Sequence, residues 1–363
     1  MKTGIANLPL HYGKAPRWLF LRMKELAKQI TIAIVSEFGA EEMLKRLSDP
    51  FWFQALGCIL GFDWHSSGVT TTVCGALKEG IKGLEKDLGL FIAGGKGKVS
   101  RQTPLEIEKL AEKYPLRINP ESLIYASRMS AKVDNTALQD GYTLYHHSFI
   151  FSKNGSWTIV QQGMNEITGF ARRYHWLSDN LKSFVCEPHS AICCNRRGVV
   201  LNMVARESEE TRSLTTSLSR EKPDKIISAV KKLKELNLPR THQVFIQNLR
   251  ENSLKKVLIK TYEKWPANFE ELLAIRGVGP KTIRALALIS ELIYGTNLSF
   301  RDPVKFSFAH GGKDGHPYPV NREVYDKSIR IIQKAILEAK IGRREKIETL
   351  KRLNNFGLSL LPS

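Results

Sequence analysis

The sequence predicts an α+β protein, with a small antiparallel sheet in its N-terminal part and an all-helical C-terminal part. Three observations lead to this class. Apolar residues recur at helical spacing through most of the chain. The stretch from Tyr142 to Gly163 is instead rich in aromatic and β-branched residues around an Asn-Gly pair. Beyond about residue 224 the pattern is helical almost throughout, apart from one glycine-rich turn.

Length and charge limit the classes of function. The 363 residues, 42% of them hydrophobic and 25% charged, suggest two or three globular domains with real cores. The formal net charge of +19 indicates a polyanionic partner, most simply a nucleic acid. From Lys222 onward the chain has 27 Lys+Arg against 14 Asp+Glu, so the C-terminal part is the expected polyanion-binding region.

The first stretch of the chain gives no sign of export. It has no signal-peptide core, and the best apolar run, ITIAIV, is too short to cross a membrane. The five cysteines follow no disulfide-rich pattern. We therefore expect a cytoplasmic protein that has no membrane partner.

Helices and loops are expected over residues 1–120. A helix opens at Pro16 and stops at Gly39, and two further helices are interrupted at Gly61 and Gly68.

The sheet is expected in residues 121–210. Strands are predicted near 142–152 and 156–162, joined at Asn154-Gly155, where both turn positions need a positive φ. A shorter strand in GVVLNMVA is expected to join them. Residues 1–210 then form one α+β domain, which we interpret as the catalytic part if the protein is an enzyme.

A domain boundary is predicted in the polar, charged stretch RESEETRSLTTSLSREKPDK, which ends at a proline. We place a linker at 211–223 and a helical domain at 224–363.

A glycine-rich turn interrupts this helical domain at Gly277-Val278-Gly279, and Pro280 suits the first position of the next helix. Glycines leave backbone N–H groups uncovered at the positive end of that helix, which suits a phosphate oxygen. The predicted nucleic-acid contacts are Arg276, Gly277, Val278, Gly279, Lys281, Thr282 and Arg284.

This stretch of about 20 residues resembles the helix-hairpin-helix motif of DNA repair and recombination proteins. One departure is Ile283, where many members carry alanine. The resemblance implies contacts to backbone phosphate, hence DNA binding without sequence preference. A plain helical hairpin with a glycine turn is the alternative interpretation.

The related DNA glycosylase/lyases carry a lysine where Lys281 stands and need an aspartate further along. Asp302 lies 21 residues beyond Lys281, and the later stretch HPYPVNREVYD offers Asn321, which cannot act as a carboxylate. Glycosylase/lyase activity is therefore an alternative, and Lys281 is interpreted as a phosphate contact.

Polar side chains crowd the predicted strands and the segments after them. The candidate catalytic residues are Asp134, Asp140, His146, His147, Gln161, Gln162, His175, Glu187 and His189. His146 and His147 should face opposite sides of a strand. One hypothesis is a nuclease in which Asp134, Asp140 and Glu187 hold Mg²⁺ or Mn²⁺, while Arg172 and Arg173 grip phosphate. The other is a hairpin whose polar side chains satisfy backbone groups.

Two further motifs are less specific indicators of a ligand. The cluster CEPHSAICC does not have the ligand spacing of common zinc sites, so zinc is not expected. The loop AGGKGKVSR lacks the Ser or Thr of a phosphate-binding P-loop. Its Lys96, Lys98 and Arg101 still suit phosphate contacts, and a plain solvent loop is the alternative.

Across nearly its full length the chain resembles an uncharacterised prokaryotic family, through TGIANLPLHYGKAPRWL, LYHHSFIF, QQGMN, ARRYHW and FAHGGKDGHPYPVNREVYD. That resemblance implies a shared architecture and no activity, and it leaves the role of residues 309–326 open. We therefore expect a sequence-nonspecific DNA-binding protein acting as a repair or processing nuclease on duplex, branched or damaged DNA. The alternative from another class is a non-catalytic RNA- or ribosome-associated protein.

Overall fold

A computed structural model describes residues 16–61, 67–194, 196–239 and 249–304. It also describes the single positions 242, 245, 246, 330, 334, 336, 337, 346, 347, 350 and 351. The segment 309–326, whose role the sequence left open, lies outside the described residues.

Four helices form the first layer: α1 Arg17–Phe38, α2 Ala40–Ser48, α3 Pro50–Ile59 and α4 Gly68–Gly80. Pro16 precedes α1 and Gly39, with φ 88°, follows it, so the predicted first helix is confirmed. Asp49 caps α3 by accepting hydrogen bonds from the N–H groups of Phe51 and Trp52. A one-turn helix, α5 Glu85–Leu88, then leads into the sheet.

The sheet has five antiparallel strands in the order β1-β3-β4-β5-β6. The strands are β1 Leu90–Lys96, β3 Thr143–Ser152, β4 Trp157–Asn165, β5 Phe170–Leu177 and β6 Ala191–Cys193. The predicted class, α+β with a small antiparallel sheet, is confirmed. The edge strand β1 corrects the expectation of helices and loops alone before residue 120.

The β3–β4 hairpin lies where the Asn-Gly pair predicted it, but its turn differs. Phe151 pairs with Trp157, and the N–H of Ser152 donates to Ser156 O at 2.8 Å. Three residues therefore form the loop, and of these only Gly155 has a positive φ, 98°. A three-residue loop needs one left-handed residue at its end, whereas the expected two-residue turn needs two.

The strand predicted in GVVLNMVA is also placed differently. Here β7 Leu201–Asn202 pairs with β2 Leu138–Gln139 in a separate two-stranded sheet, so it does not join the hairpin.

The five-stranded sheet separates two apolar cores. One face, with Ile92, Ile150 and Val160, packs on the N-terminal helices. The other face, with Phe149, Ile159 and Trp176, belongs to a core that continues into the C-terminal helices. Helices α6 Thr103–Lys113 and α7 Pro120–Lys132, followed by a π-helical turn at Val133–Ala137, cover this second face. Side chains of successive strand residues thus enter different cores.

The C-terminal helices are α8 Glu209–Leu218, α9 Pro223–Glu235, α10 Glu251–Lys264, α11 Phe269–Ala274 and α12 Pro280–Tyr294. Most of the segment expected to be a linker is therefore helix α8. It packs against α12 and buries Thr211, Arg212, Thr215 and Thr216. Buried hydroxyls and one buried guanidinium take the place of apolar residues on this helix, so its sequence looks polar although one face is buried. The division into two domains at this segment stays a prediction.

Within the parts of the chain that the structure describes, no helix is both long enough and apolar enough to cross a membrane.

Candidate functional site

The first candidate site is the hairpin between α11 and α12. The chain leaves α11 at Ile275 and reverses at Gly277, which has φ +105°, a conformation that favours glycine. Val278 is 1% exposed and anchors the turn in the core. Gly279 is the N-cap of α12, and Pro280 occupies the first turn of that helix.

The outer side of this turn carries backbone donors. The N–H of Val278 is used within the turn, by Ile275 O at 3.1 Å. The N–H groups of Gly277 and Gly279 have no acceptor among the described residues. The N-cap has no side chain to cover the start of α12, so these donors lie at the positive end of that helix.

Three exposed cations lie on or beside the turn. Arg276 and Lys281 flank it in sequence, and both are exposed. Lys260 comes from α10, where its Nζ lies 4.0 Å from the position that a Cβ at Gly277 would occupy. None of the three forms an ion pair with another described residue, so the turn is a small electropositive surface.

The inner side of the hairpin is hydrogen-bonded to the rest of the protein. Lys132 Nζ donates to Val278 O, and Gln139 Nε2 donates to Pro280 O at 2.8 Å. Arg284 is half-buried and donates from Nε to Gln139 Oε1 at 2.8 Å. Among the predicted phosphate contacts, Arg284 and the buried Thr282 therefore face the protein, whereas Arg276, Gly277, Gly279 and Lys281 border solvent.

The second candidate site is a buried network around Asp134, on the sheet face toward the C-terminal helices. Gln161 Nε2 and Trp176 Nε1 donate to Asp134 Oδ2 at 2.7 and 3.0 Å. His189 Nε2 lies 2.5 Å from Asp134 Oδ1. Two N–H donors and one imidazole nitrogen therefore surround the Asp134 carboxyl group, which is 0% exposed, so both of its oxygens have a polar partner inside the protein.

The network continues to a serine in α7. Gln161 Oε1 lies 2.8 Å from His147 Nδ1, and His147 Nε2 lies 2.9 Å from Ser127 Oγ. Because the Gln161 amide N–H points at Asp134, its oxygen must accept, so His147 donates from Nδ1 and accepts at Nε2. Burial lowers the pKa of His147, which favours the neutral ring that this series of hydrogen bonds requires.

Asp140 and Arg172 form a separate ion-pair cluster. Arg172 donates to Asp140 Oδ2 at 2.9 Å and to Asp302 Oδ2 at 2.8 Å, and its side chain is 1% exposed. Tyr174 OH also donates to Asp140 Oδ2, at 2.7 Å. Burial alone would lower the pKa of Arg172, but Asp140, Tyr174 and Asp302 together raise it well above its usual range.

The remaining polar candidate residues of the strands lie on the opposite face of the sheet, which packs on the N-terminal helices. Gln162 donates to Ser67 O at 2.9 Å, and Arg173 donates to Gln54 Oε1 at 3.1 Å with its guanidinium 4.7 Å from the Phe53 ring centroid. His175 Nδ1 donates to Leu47 O at 3.0 Å. The phosphate-gripping role expected of Arg172 and Arg173 needs exposed guanidinium groups, and both are buried.

His146 lies on that face too, beside Ser148, so the prediction that the adjacent histidines face opposite sides is confirmed. Burial lowers the pKa of His146 to about 3, with His147 and Lys96 adding to the effect. Burial lowers the pKa of His175 well below its usual value, and Arg173 contributes. Both rings are neutral in the folded protein.

The expected metal ligands do not converge. Asp134 and Asp140 take the separate partners given above, and Glu187 is exposed and pairs with Arg206 at 3.3 Å. Among the residues that the structure describes, no three His, Cys, Asp or Glu side chains could hold a metal ion together. Mg²⁺ or Mn²⁺ binding stays a prediction, and so does the expectation that zinc is not used.

Lys96, Lys98 and Arg101 are exposed on edge strand β1 and the 3₁₀ turn Gly97–Gln102. Lys96 lies 6.0 Å from the centroid of the Tyr145 ring. This loop is a second basic segment, carried by the sheet and separate in sequence from the hairpin.

Sequence reasoning missed several members of these clusters: Ser127, Tyr174, Trp176 and Lys260. No local pattern marks them, because Ser127 looks like any helical serine and Trp176 like any core residue. Asp302 was considered only as a glycosylase aspartate, and the structure places it against Arg172.

The family model described as "Protein of unknown function (DUF763)" matches residues 4–320. The chain therefore belongs to this family. It matches no curated protein and no solved structure.

Proposed function

We propose that this member of the DUF763 family binds DNA through its phosphate backbone, with little sequence preference, using the hairpin between α11 and α12. One observation carries the proposal. The N–H groups of Gly277 and Gly279, which have no acceptor among the described residues, lie between the exposed cations Lys260, Arg276 and Lys281. Backbone donors at a helix start, flanked by cations, match what a phosphate oxygen needs.

The inner contacts of the hairpin support the same function. Lys132, Gln139 and Arg284 fix the turn against the sheet domain, so it is held in one conformation before any ligand arrives. A preformed site avoids the entropic cost of ordering a loop on binding. The net charge of +19 would add long-range attraction to any polyanion.

A titration of labelled duplex DNA tests the proposal. Affinity should fall steeply with salt, because each neutralised phosphate releases counterions. Lys281→Gln should weaken binding to all sequences alike and reduce the slope of log affinity against log salt by about one. Lys86→Gln removes the same charge from an exposed position on α5, near β1, and should leave the slope unchanged.

Salt-independent binding, or none, would contradict the proposal. Branched DNA and structured RNA in the same titration separate it from the RNA- or ribosome-associated alternative, which requires tighter binding to RNA.

Nuclease activity stays a prediction beside DNA binding. Asp134 and Asp140 both have protein partners in the structure, so a metal would have to displace some of them. Incubating the protein with labelled DNA in Mg²⁺, in Mn²⁺ and in EDTA tests this directly. Metal-dependent cleavage that is lost in Asp134→Ala or Asp140→Ala would support a nuclease. For the glycosylase/lyase alternative, cleavage would be metal-independent, confined to a damaged base and lost in Lys281→Ala.

A further inference from the structure

Trp265, at the C-terminal end of α10, lies on the surface in a backbone conformation that favours glycine. Its side chain is 60% exposed, and its backbone is left-handed, with φ 48° and ψ 58°. Its N–H donates to Thr261 O at 3.0 Å and so ends the helix. Helices that end in this conformation usually carry glycine there, because a side chain at positive φ is strained. The indole is therefore neither buried in a core nor favoured by the backbone that carries it.

Two neighbours hold the indole in place. The ring of Tyr262, 40% exposed, meets it edge to face, with centroids 6.2 Å apart and an angle of 70° between the planes. The guanidinium carbon of Arg220 lies 5.9 Å from the indole centroid. The same guanidinium donates to Pro266 O and to Ala267 O, both at 2.7 Å, and so fixes the chain after the tryptophan. Tyr262 and Trp265, the aromatic pair, thus form a preformed surface of two exposed rings.

A row of lysines connects the aromatic pair with the hairpin. Lys256, Lys260 and Lys264 recur every four residues, so they lie along one side of α10. All three are exposed, and none forms an ion pair with another described residue. Lys260 is also the cation beside Gly277. Trp265 follows five residues later, which is about 8 Å further along the helix axis.

Few acidic groups oppose this lysine row. Asp224, from the start of α9, is already paired with Lys255, with 2.5 Å between Oδ1 and Nζ. Within residues 252–265 the sequence has four lysines and a single carboxylate, Glu263. The outer side of α10 is therefore positively charged, which suits phosphate groups.

We propose that the aromatic pair binds unpaired bases of DNA whose duplex part lies on the hairpin, and that the lysine row contacts the phosphates between the two. The ligand is then DNA in which a single strand extends from a duplex. The inference rests on the proposed function, because the hairpin supplies the contact to the duplex.

The chemistry of the surface favours unpaired bases over other occupants. Every base has a flat aromatic face, so bases stack on exposed tryptophan and tyrosine rings whatever their sequence, and cations beside the rings hold the backbone. Bases inside a duplex are already stacked on each other and cannot reach the rings. A protein partner that binds by apolar contact would need a larger patch without charges, and lysines border this one.

The test compares the affinity of the full-length protein for a labelled duplex with and without a short thymidine overhang, in both polarities. An overhang of one polarity should raise the affinity about tenfold, since stacking a base on an aromatic ring commonly contributes that much or more. An abasic overhang has the same phosphates without bases and should add much less. Lys281→Gln should weaken the binding of both DNAs by the same factor, because it acts on the duplex contact.

Trp265→Gly should remove the gain from the overhang and leave the affinity for the plain duplex unchanged. Its melting temperature should not fall, because glycine suits the left-handed backbone, so the loss cannot be ascribed to unfolding. Trp18→Ala is the matched control: this tryptophan of α1 is also 60% exposed and also has an arginine, Arg22, 5.6 Å from its ring centroid. It should keep the full gain.

Three results would overturn the inference while leaving duplex binding by the hairpin intact. They are an overhang that adds no affinity, an abasic overhang that adds as much, and a full gain in Trp265→Gly. If the plain duplex does not bind at all, the proposed function fails instead. Single-stranded oligothymidylate then decides the role of the aromatic pair, which is overturned if Trp265→Gly binds it as the parent does.

Discussion

At the scale of single residues, the two glycines of the hairpin have different requirements. Gly277 has φ +105°, which an L-residue adopts only with strain, although a Cβ there would find no atom closer than 4.0 Å. Gly279 has an extended backbone, φ −138° and ψ −176°, and its nearest neighbour would be Gly277 O at 3.9 Å. Of the two positions, only Gly277 needs glycine for its backbone conformation. At Gly279 the fold would accept a Cβ, so the missing side chain matters only for a ligand that approaches the turn.

This difference predicts separable effects of two alanine substitutions. Gly277→Ala should lower the free energy of unfolding by about 1–2 kcal/mol, the cost of a left-handed L-residue. Gly279→Ala should change stability by less than about 0.5 kcal/mol. It should still weaken DNA binding, because its methyl group lies where phosphate would approach. Thermal unfolding and DNA titration of both variants check this, and Gly279→Ala with wild-type affinity would exclude the turn from the interface.

Arg172 shows how one residue joins distant parts of the chain, because it binds Asp140, just before β3, and Asp302, after α12. Arg172→Met should cost about 3–5 kcal/mol of unfolding free energy, since it leaves two buried carboxylates without their cation. Arg101→Met is the exposed control and should stay within about 0.5 kcal/mol of the parent. Urea unfolding measures both, and a small effect of Arg172→Met would mean that the carboxylates find other partners.

At the scale of elements, strands β3 and β5 carry three buried histidines whose pKa values are all lowered: His146, His147 and His175. The unfolded chain binds protons at these rings below a pH of about 6.5, whereas the folded protein binds them only at lower pH. Stability should therefore fall as the pH decreases below that value, by up to about 1.4 kcal/mol per pH unit for each ring.

Urea unfolding at several pH values between about 5 and 7 tests this. Most carboxylates titrate below this window, so they contribute little to the slope. His146→Gln should reduce the slope of unfolding free energy against pH, because the pKa of His146 in the folded protein is about 3 and the ring stays neutral throughout this window. An unchanged slope would mean that His146 becomes protonated in the folded state.

Elements built from local signals were predictable from the sequence, and elements built from distant pairings were not. The β3–β4 hairpin is local, so its aromatic strands and Asn-Gly pair revealed it. Strand β1 pairs with β3 about 50 residues later, and the backbone at Gly94 comes so close that a Cβ would lie 2.2 Å from His147 O. The candidate residues Asp134 and His189 were identified by type, but their contact across 55 positions follows only from the fold.

At the scale of the whole molecule, one apolar core runs from the sheet into the C-terminal helices, and α8 lies within it. Arg212 of α8 donates to Met203 O at 2.6 Å and to Ala205 O at 2.7 Å. Helix α8 is therefore tied both to the chain before it and to α12. The polar sequence of this segment predicts a boundary between two domains. The division into independently folding domains stays a prediction that can be tested.

Limited proteolysis of the native protein distinguishes the two descriptions. If α8 is part of a shared core, residues 209–218 should resist cleavage, because a protease needs a locally unfolded segment and this helix is buried on one face. Arg212→Ala should increase cleavage in this segment, since it leaves the carbonyls of Met203 and Ala205 without that donor. Ser217→Ala, at an exposed position of the same helix, is the control and should behave as the parent. Early cleavage within 206–224 that releases two stable fragments would instead show two domains joined by a linker, because only separate cores could survive the cut.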